Sequence, residues 1–322
     1  MEEMIRCPFV SALNPGTDAA HRHTQEWATK HGLIRNANIE HQMATEQFTW
    51  LVGRFYPRAQ PPELELISDF TSWLFWHDDV CDETTLGEEP GALARQFDWL
   101  LGILTRRKPA RPGDAFDRAF VDLRDRFERF APSHAWLARF VVALQQYFDG
   151  CVWEARNRKS GAVPSVETFT VMRRFASAMY VYLELVELVA RAELPLVARG
   201  NPDVIRLRDI ANNVAAWHND LFSLDKELAY GDVHNVVAVL AKENGIGLAE
   251  AKRAATALCN AEVAAFEAIA AGLRSFGADQ DLVVAAYVEN LKALMRGNLD
   301  WSLATDRYQR VYEPQAKADY AT

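Results

Sequence analysis

The chain has 322 residues, of which 49% are hydrophobic, so it can bury a large core. Its formal net charge of −9 argues against nucleic-acid binding, because contacts to phosphates need a basic face. The four cysteines are scattered and form no Cys-x-x-Cys pair, which argues against a disulfide framework and a structural zinc site.

The N-terminal end, Met1-Glu2-Glu3-Met4, is acidic where a signal peptide would be basic, and no apolar segment follows it. No uncharged apolar run reaches the ~18 residues that are needed to span a bilayer. We therefore expect a cytoplasmic protein without stable membrane association. The segment of about residues 1–16 precedes the first predicted helix and is expected to be mobile.

From residue 17 onward, apolar residues recur at the three- and four-residue spacing of an amphipathic helix, and strand-like alternation is nearly absent. Ser165 and Asp203 each follow a proline where they could cap a helix start, and Gly231 suits a helix end. No linker interrupts the pattern, which predicts one all-α domain over residues 1–322 with a mobile end at about 312–322. The predicted helices span about 17–31, 36–55, 63–84, 91–107, 114–130, 133–158, 165–192, 203–229, 247–275 and 279–309.

Four carboxylates lie at the end of the predicted helix 63–84, namely Asp78, Asp79, Asp82 and Glu83. They repel one another, and the helix dipole disfavours anions at this end, so a bound cation would offset the cost. Asp78 and Asp82 are four residues apart and point to one side of the helix. Two hard oxygen donors on one face suit Mg²⁺. The alternative is a solvated helix end that leads into an acidic loop.

A second stripe of oxygen donors lies on the predicted helix 203–229. Asn219, Ser223 and Glu227 follow one another at four-residue steps, each of which turns the helix by about 40°, so they share one face. An amide, a hydroxyl and a carboxylate together can chelate one Mg²⁺. Lys226 could reach a phosphate as a point charge. The alternative is an ordinary amphipathic helix that turns its Asp and Lys side chains to water.

Both stripes resemble motifs of one enzyme family. Residues 219–227, with the pattern Asn-Asp-Leu-x-Ser-x-x-Lys-Glu, resemble the NSE triad of bacterial class I terpene synthases. Residues 78–82, Asp-Asp-Val-Cys-Asp, resemble the family's aspartate-rich motif. Arg173 precedes the triad by 46 residues, as the family's diphosphate-sensing arginine does. Arg307 and Tyr308 follow the triad at the distance of the family's Arg-Tyr pair.

Two further stretches are similar to the family, residues 153–158 (Trp-Glu-Ala-Arg-Asn-Arg) and residues 297–301 (Gly-Asn-Leu-Asp-Trp). The resemblance thus runs from about residue 50 to residue 310. It implies a single-domain class I terpenoid synthase-like helical barrel around a central apolar cavity. It also implies a Mg²⁺-dependent lyase that ionises a prenyl diphosphate and steers the resulting carbocation to a terpene.

The resemblance further implies roles for single residues. Of the three Mg²⁺ ions expected per active site, two are associated with Asp78, and Asp79 supports that motif. The third is held by Asn219, Ser223 and Glu227. The side chains that are expected to hydrogen-bond the diphosphate are Arg173, Lys226, Arg307 and Tyr308.

The chain departs from the family pattern at one segment and leaves one choice open. The family's effector segment often reads Arg-x-x-x-Asp-Gly or Arg-x-x-Thr-x-Gly, whereas Arg173 is followed here by Arg-Phe-Ala-Ser-Ala. Ala176 therefore occupies the position of the family's linker residue. The backbone carbonyl of Ser177 would then serve as the effector carbonyl. In the acidic motif, either Asp82 or Glu83 could be the second acidic contributor.

Aromatic side chains are expected to protect the carbocation, because their faces stabilise positive charge and apolar walls exclude water. Phe75 lies one turn before the acidic motif and is expected to point into the cavity. Trp301 is expected near the opposite wall. Phe55, Tyr147 and Tyr182 are either further cavity walls or core fillers.

Other classes of helical protein fit less well. A prenyl-chain-elongating synthase would normally carry a second Asp-rich motif where this chain has the Asn-Ser-Glu stripe. A di-iron bundle requires paired Glu-x-x-His, and no histidine of this chain has a Glu three residues before it. A non-catalytic helical scaffold would need neither metal stripe. The resemblance favours farnesyl diphosphate as substrate, with the C10 and C20 diphosphates left open. Dimers are frequent in the family, so a homodimer is one option for an oligomeric state that the sequence does not determine. The sequence does not determine the product either.

Overall fold

The computed structural model describes residues 4–35, 37–83, 85–229 and 231–308, and in this part of the chain the regular structure is helical throughout. A 3-10 turn, Thr85–Glu88, connects the fourth α-helix to the fifth. The α-helices, numbered in chain order, are α1 Thr17–His31, α2 Ala37–Glu46, α3 Phe48–Phe55, α4 Pro61–Glu83, α5 Pro90–Leu104, α6 Ala115–Phe130, α7 His134–Ser160, α8 Val166–Ala176, α9 Met179–Ala190, α10 Leu196–Arg199, α11 Pro202–Ala229, α12 Val236–Asn244, α13 Leu248–Ala271 and α14 Ala278–Ala304.

The predicted all-α class is confirmed, but two predicted helices are each split in two. The helix predicted over 36–55 breaks at Gln47, whose φ is 57°. The helix predicted over 165–192 breaks at Ala178, whose φ is 59°. Both residues adopt the left-handed conformation, although neither is a glycine. The apolar period of the sequence continues through each position, so the sequence does not reveal the break. The short helices α10 and α12 fall where no helix was predicted.

Two of the three predicted helix ends are confirmed. The hydroxyl of Ser165 accepts a hydrogen bond from the Thr168 N–H at 3.2 Å, as an N-cap does. Gly231 has a left-handed φ of 76° after the end of α11. Asp203 is not the cap of α11, because the helix begins at Pro202 and the side chain of Asn201 accepts from the Asp203 N–H at 2.9 Å.

The helices pack around a central cavity. Helix α11 contacts α13 and α14, α14 contacts α3, and α7 contacts α8 and α9. Two glycines allow close approach: a Cβ on Gly150 of α7 would lie 2.6 Å from the backbone nitrogen of Ala176, and one on Gly297 of α14 would lie 2.8 Å from the carbonyl carbon of Arg54. The end of α8 therefore packs closely against α7, and the end of α3 packs closely against α14.

The segment before α1 is tied to the helices that follow. The Arg6 N–H donates to the Asn260 side chain at 2.7 Å, and the Asn14 amide donates to the carbonyl oxygens of Tyr56 and Ala59 at 3.1 and 2.9 Å. These contacts restrain residues that were expected to be mobile. The other end expected to be mobile, 312–322, lies outside the described residues.

One described helix, α13, is long and apolar enough by length and composition to cross a membrane. It is rich in alanine, which raises its mean hydropathy, and it packs along α11 and α12. Its buried side chains include Val263 and Phe266, which belong to the core. Helix α13 therefore has a structural role in the helical assembly.

Candidate active site

A pocket opens between α3, α4, α7, α8, α9, α11 and α14, and it gathers the predicted residues. Asp79 is buried beside it, whereas the side chains of Asp82 and Glu83 lie outside those that the structure describes. The predicted residues that line the pocket are Phe75, Asp78, Arg173, Ala176, Ser177, Asn219, Ser223, Lys226, Glu227, Trp301, Arg307 and Tyr308, together with Phe55, Tyr147 and Tyr182.

The two aspartates at the end of α4 point in different directions. Asp78 faces the pocket and accepts a hydrogen bond from the Tyr147 hydroxyl at 2.7 Å. Burial raises the pKa of Asp78 above its ordinary value, although Tyr147 acts in the opposite direction. Burial also acts to raise the pKa of Asp79, but the charges of Arg307 and Lys226 outweigh it and lower that pKa. Asp78 can therefore offer its carboxylate to a cation, while Asp79 is already engaged with side-chain cations.

The oxygen donors of α11 form the stripe that the sequence predicts. Ser223 Oγ lies 2.7 Å from Glu227 Oε1, and Asn219 presents its Oδ1 to the same pocket. Burial, followed by the charge of Asp220, raises the pKa of Glu227 to about 7. The Asn235 amide donates to Glu227 Oε2 at 2.8 Å and fixes the carboxylate. The alternative of a solvated face holds for Asp225, which is exposed, but not for Asp220, which is fully buried.

Arg173 lies in the last turn of α8, beside this stripe. Its Nε and Nη2 donate to Asp220 Oδ1 at 3.0 and 2.7 Å, and Nη2 also donates to Asn219 Oδ1 at 3.2 Å. Burial opposes the charge of Arg173, but the coulombic field of Asp220 outweighs it and raises the pKa above its ordinary value. The Val236 N–H donates a hydrogen bond to Asp220 Oδ2 at 2.9 Å. Sequence reasoning missed Asp220 as a partner, since only the fold brings it to Arg173.

Arg307 and Tyr308 follow α14 and return to the pocket. The Arg307 Nη2 donates to Asp79 Oδ1 at 2.7 Å, and its Nη1 donates to Glu46 Oε2 at 2.9 Å. Lys226 Nζ lies 3.8 Å from the same Asp79 oxygen. The Tyr308 hydroxyl accepts from the Asn219 amide at 2.7 Å, which connects it to the α11 stripe. Glu46 was not predicted, and no local pattern marks it.

The segment between α8 and α9 forms part of the pocket wall. The hydroxyl of Ser177 donates to Asn212 Oδ1 at 2.9 Å, and the Asn212 amide donates to the Arg174 carbonyl oxygen at 2.8 Å. Ala178 follows with its left-handed φ, and Ala176 and Ser177 both line the pocket. Asn212, which is fully buried on α11, therefore holds this segment in place. The segment includes Ala176, which occupies the linker position of the family pattern.

Aromatic and small apolar side chains form the floor. Phe75 stacks on Phe48 with ring centroids 4.3 Å apart, and Trp301 lies 5.9 Å from Phe75. Phe55 packs edge-on against Tyr182 at 5.5 Å. Both Phe75 and Trp301 line the pocket, but the expectation that Trp301 lies near the opposite wall is wrong, because its ring packs directly beside that of Phe75. The floor can exclude water from an apolar ligand.

A rim of polar residues that the sequence did not single out faces the same opening. Arg158 Nη1 donates to Asp232 Oδ2 at 2.7 Å, and His234 Nδ1 lies 2.6 Å from Asp232 Oδ1. Burial acts to raise the pKa of Asp232, but the contact with His234 and the charge of Arg158 outweigh it and lower that pKa. Glu154 also lines this side. The resemblance of 153–158 to the family was the only sequence signal for this rim.

The donor chemistry fits a hard divalent cation. Carboxylate, hydroxyl and amide oxygens from α4 and α11 face one pocket, and both Asp78 and Glu227 carry a raised pKa because burial leaves their charge poorly compensated. Among the described side chains, no group of three or more His, Cys, Asp or Glu residues clusters as a ready site. A cation here would therefore depend on mixed protein oxygens and on oxygens of a ligand.

Comparisons with known proteins agree with this geometry. Residues 69–265 match the family model "Terpene synthase family 2, C-terminal metal binding". The chain is 35% identical to (+)-T-muurolol synthase of Roseiflexus castenholzii, covering 96% of this chain and 94% of that protein. It is 32% identical to germacrene A synthase of Nostoc punctiforme, covering 95% of each.

Solved structures are similar as well. Wild-type cucumene synthase superposes with a TM-score of 0.78 at 26% identity, covering 92% of this chain and 99% of that one. A protein from ancestral sequence reconstruction, SVS_A2, superposes with a TM-score of 0.86 at 25% identity, covering 94% of this chain and 90% of that one.

Proposed function

This chain belongs to the bacterial class I terpene synthases, a family with a metal-binding domain, and from that premise we propose that it converts farnesyl diphosphate to a sesquiterpene. The names of its relatives support the C15 substrate: T-muurolol synthase is described as farnesyl diphosphate cyclizing, and germacrene A synthase is another relative. The observation that carries the proposal is the convergence of Asp78 from α4 and the Asn219, Ser223 and Glu227 stripe from α11 on one pocket with an apolar floor.

We propose Mg²⁺ as the cation, with three ions per active site. Asp78, with Asp82 or Glu83, would hold two of them, and the α11 stripe would hold the third. When bound, the metal ions neutralise the negative charge that develops on the diphosphate as it leaves. Hard oxygen donors favour Mg²⁺ over softer transition metals.

The cationic side chains would bind and orient the diphosphate. Arg173 and Arg307 both line the pocket, and each is held by a buried aspartate. Lys226 supplies a further positive charge, and the Tyr308 hydroxyl supplies a hydrogen-bond donor. These groups would stabilise the diphosphate when the C1–O bond breaks and the electron pair departs with the oxygen.

The apolar floor would control the carbocation that remains. Phe75 and Trp301 present aromatic faces, each of which contributes about 2 kcal/mol to the stabilisation of a desolvated cation. A distal double bond of the chain would then attack the cationic carbon and close a ring. Loss of a proton, or capture of one water followed by loss of its proton, would neutralise the final cation, and the product and diphosphate would then leave the pocket.

The test is turnover of purified protein. Geranyl, farnesyl and geranylgeranyl diphosphate would be supplied separately with Mg²⁺ or with EDTA, and an organic overlay would be analysed by gas chromatography–mass spectrometry. We expect a sesquiterpene from farnesyl diphosphate and none with EDTA. A product from only the C10 or C20 substrate would correct the chain length, and no product from any of the three would overturn the proposal.

Two further expectations remain open to measurement. A cytoplasmic location is part of the proposal and would be tested by fractionation of cells. The homodimer rests on the family resemblance and would be tested by size-exclusion chromatography with light scattering.

A further inference from the structure

The break between α2 and α3 is an anchoring point for the C-terminal end of α14. The indole Nε1 of Trp301 donates to the carbonyl oxygens of Glu46 and Gln47, at 2.9 and 3.1 Å. The hydroxyl of Thr305 donates to the same Glu46 carbonyl oxygen at 2.9 Å. The left-handed φ of 57° at Gln47 interrupts the helix at this point, and α14 reaches the carbonyl groups of both Glu46 and Gln47.

The side chain of Glu46 extends this anchor to Arg307. Glu46 is fully buried, and its Oε2 accepts from Arg307 Nη1 at 2.9 Å. The guanidinium also lies against two aromatic rings, 4.9 Å from the centroid of Phe75 and 5.6 Å from that of Phe48. Since Phe48 is the first residue of α3, the same break places both the carboxylate and one of the rings that hold the guanidinium.

Two carboxylates surround Arg307. Glu46 and Asp79 both contact the Arg307 guanidinium, and Lys226 Nζ lies 3.8 Å from Asp79 Oδ1. Asp79 is shared between both cations, whereas Glu46 contacts Arg307 from outside the acidic motif. A diphosphate that draws Lys226 and Arg307 toward itself would compete with Asp79 for both of them. Glu46 keeps a second attachment on Arg307, which limits how the guanidinium can turn.

We propose that Glu46 is a positioning residue for the reaction, which holds the Arg307 guanidinium against the Phe75 ring and toward the departing diphosphate. This inference rests on the proposed function, in which Arg307 binds that group. Glu46 does not itself line the pocket, so it acts through Arg307. A misplaced guanidinium would weaken the stabilisation of the leaving group more than the binding of the hydrocarbon chain.

The experiment compares kcat and KM for farnesyl diphosphate in Glu46→Ala, Glu46→Gln, Arg307→Ala and the Glu46→Ala/Arg307→Ala double variant. We expect Glu46→Ala to lower kcat by about tenfold to 10²-fold, the range for a displaced catalytic contact. Glu46→Gln keeps an acceptor for Arg307 and should recover part of the loss. In the Arg307→Ala background, Glu46→Ala should change kcat less than about twofold, because its partner is gone.

Glu63 supplies the matched control. It is a buried glutamate that accepts from the Arg191 Nε at 2.7 Å, and it does not line the pocket. Glu63→Ala should leave kcat, KM and the product profile at wild-type values. An equal loss of kcat from Glu46→Ala with and without Arg307, or wild-type kcat in Glu46→Ala, would overturn the positioning role.

A second measurement distinguishes failure of the positioning role of Glu46 from failure of the proposed function and from loss of folding. The rise in melting temperature caused by Mg²⁺ with inorganic diphosphate would be measured for wild type and for Glu46→Gln. A smaller rise in the variant supports the role of Glu46 even if wild type turns over none of the three prenyl diphosphates. An equal rise, or no rise in the wild-type protein, contradicts it.

Discussion

Arg173 of α8 and Asp220 of α11 form a buried ion pair in which Nη2 lies 2.7 Å from Oδ1. The same guanidinium reaches Asn219, which belongs to the proposed metal stripe. Any ligand that moves Arg173 therefore also acts on the helix that carries the stripe. Asp220 has no access to solvent, so the pair is held in a region of low dielectric.

We predict that Asp220→Asn lowers both stability and turnover. The change removes the charge that balances buried Arg173, and loss of one member of such a pair costs about 3–5 kcal/mol of the free energy of unfolding. Urea unfolding would measure that loss, and steady-state kinetics would measure the fall in kcat. Unchanged unfolding would show that other carboxylates compensate Arg173.

The control for this variant is Asp209→Asn. Asp209 also lies on α11 and pairs with the neighbouring Arg174 at 2.8 Å, but both side chains are partly exposed and neither lines the pocket. A partly exposed pair contributes about 1 kcal/mol or less. Asp209→Asn should therefore leave kcat unchanged.

We predict that Tyr147→Phe raises the Mg²⁺ concentration needed for half-maximal rate. Its hydroxyl donates to Asp78, and loss of such a contact behind a metal ligand costs about 10- to 100-fold in metal affinity or activity. Tyr182→Phe is the matched control, because the Tyr182 hydroxyl donates to Thr71 at 3.2 Å rather than to the acidic motif. If both variants show the wild-type Mg²⁺ dependence, Asp78 does not rely on Tyr147.

We predict that Mg²⁺ binds more weakly at low pH. Burial raises the pKa of Glu227 to about 7, so without metal this side chain is protonated below that pH and ionised above it. A metal ion that needs the carboxylate must then displace a proton, and its apparent affinity falls by up to about tenfold per pH unit below 7. The half-saturating Mg²⁺ concentration should rise about tenfold from pH 8 to pH 6. A flat profile, with the fold shown intact at both pH values, would contradict the assignment of Glu227.

We predict that Phe75→Leu changes the product mixture. The substitution keeps much of the volume but removes the aromatic face that lines the pocket. Phe70→Leu is the control on the same helix, because Phe70 is fully buried and does not line the pocket. The control should lower the melting temperature without altering the products. Identical product mixtures from Phe75→Leu and wild type would place Phe75 among the core side chains.

The sequence predicted the features that depend on local geometry. The spacing of Asn219, Ser223 and Glu227 fixes one face of a helix wherever that helix lies, so the α11 stripe could be predicted before its surroundings were known. The aspartates of α4 follow the same logic, although their partners, Tyr147 for Asp78 and Arg307 for Asp79, come from distant parts of the chain.

Features that depend on distant partners could not be predicted. Glu46 and Arg307 are 261 residues apart, and the breaks at Gln47 and Ala178 carry no glycine or proline to mark them. Tertiary hydrogen bonds surround each break: Trp301 binds the carbonyl groups at Gln47, and Asn212 binds the segment before Ala178. An apolar period that continues through both positions predicts a longer helix in each case.

The proposed function requires that α4 and α11 hold the cations of one diphosphate between them. A crystal structure of the protein with Mn²⁺ and inorganic diphosphate, with manganese located by anomalous scattering, would show whether they do. We expect two manganese ions beside Asp78, one beside Asn219, Ser223 and Glu227, and a diphosphate in reach of the pocket's arginines. Manganese and diphosphate bound elsewhere, or an α11 stripe without metal in the presence of bound diphosphate, would contradict the claim.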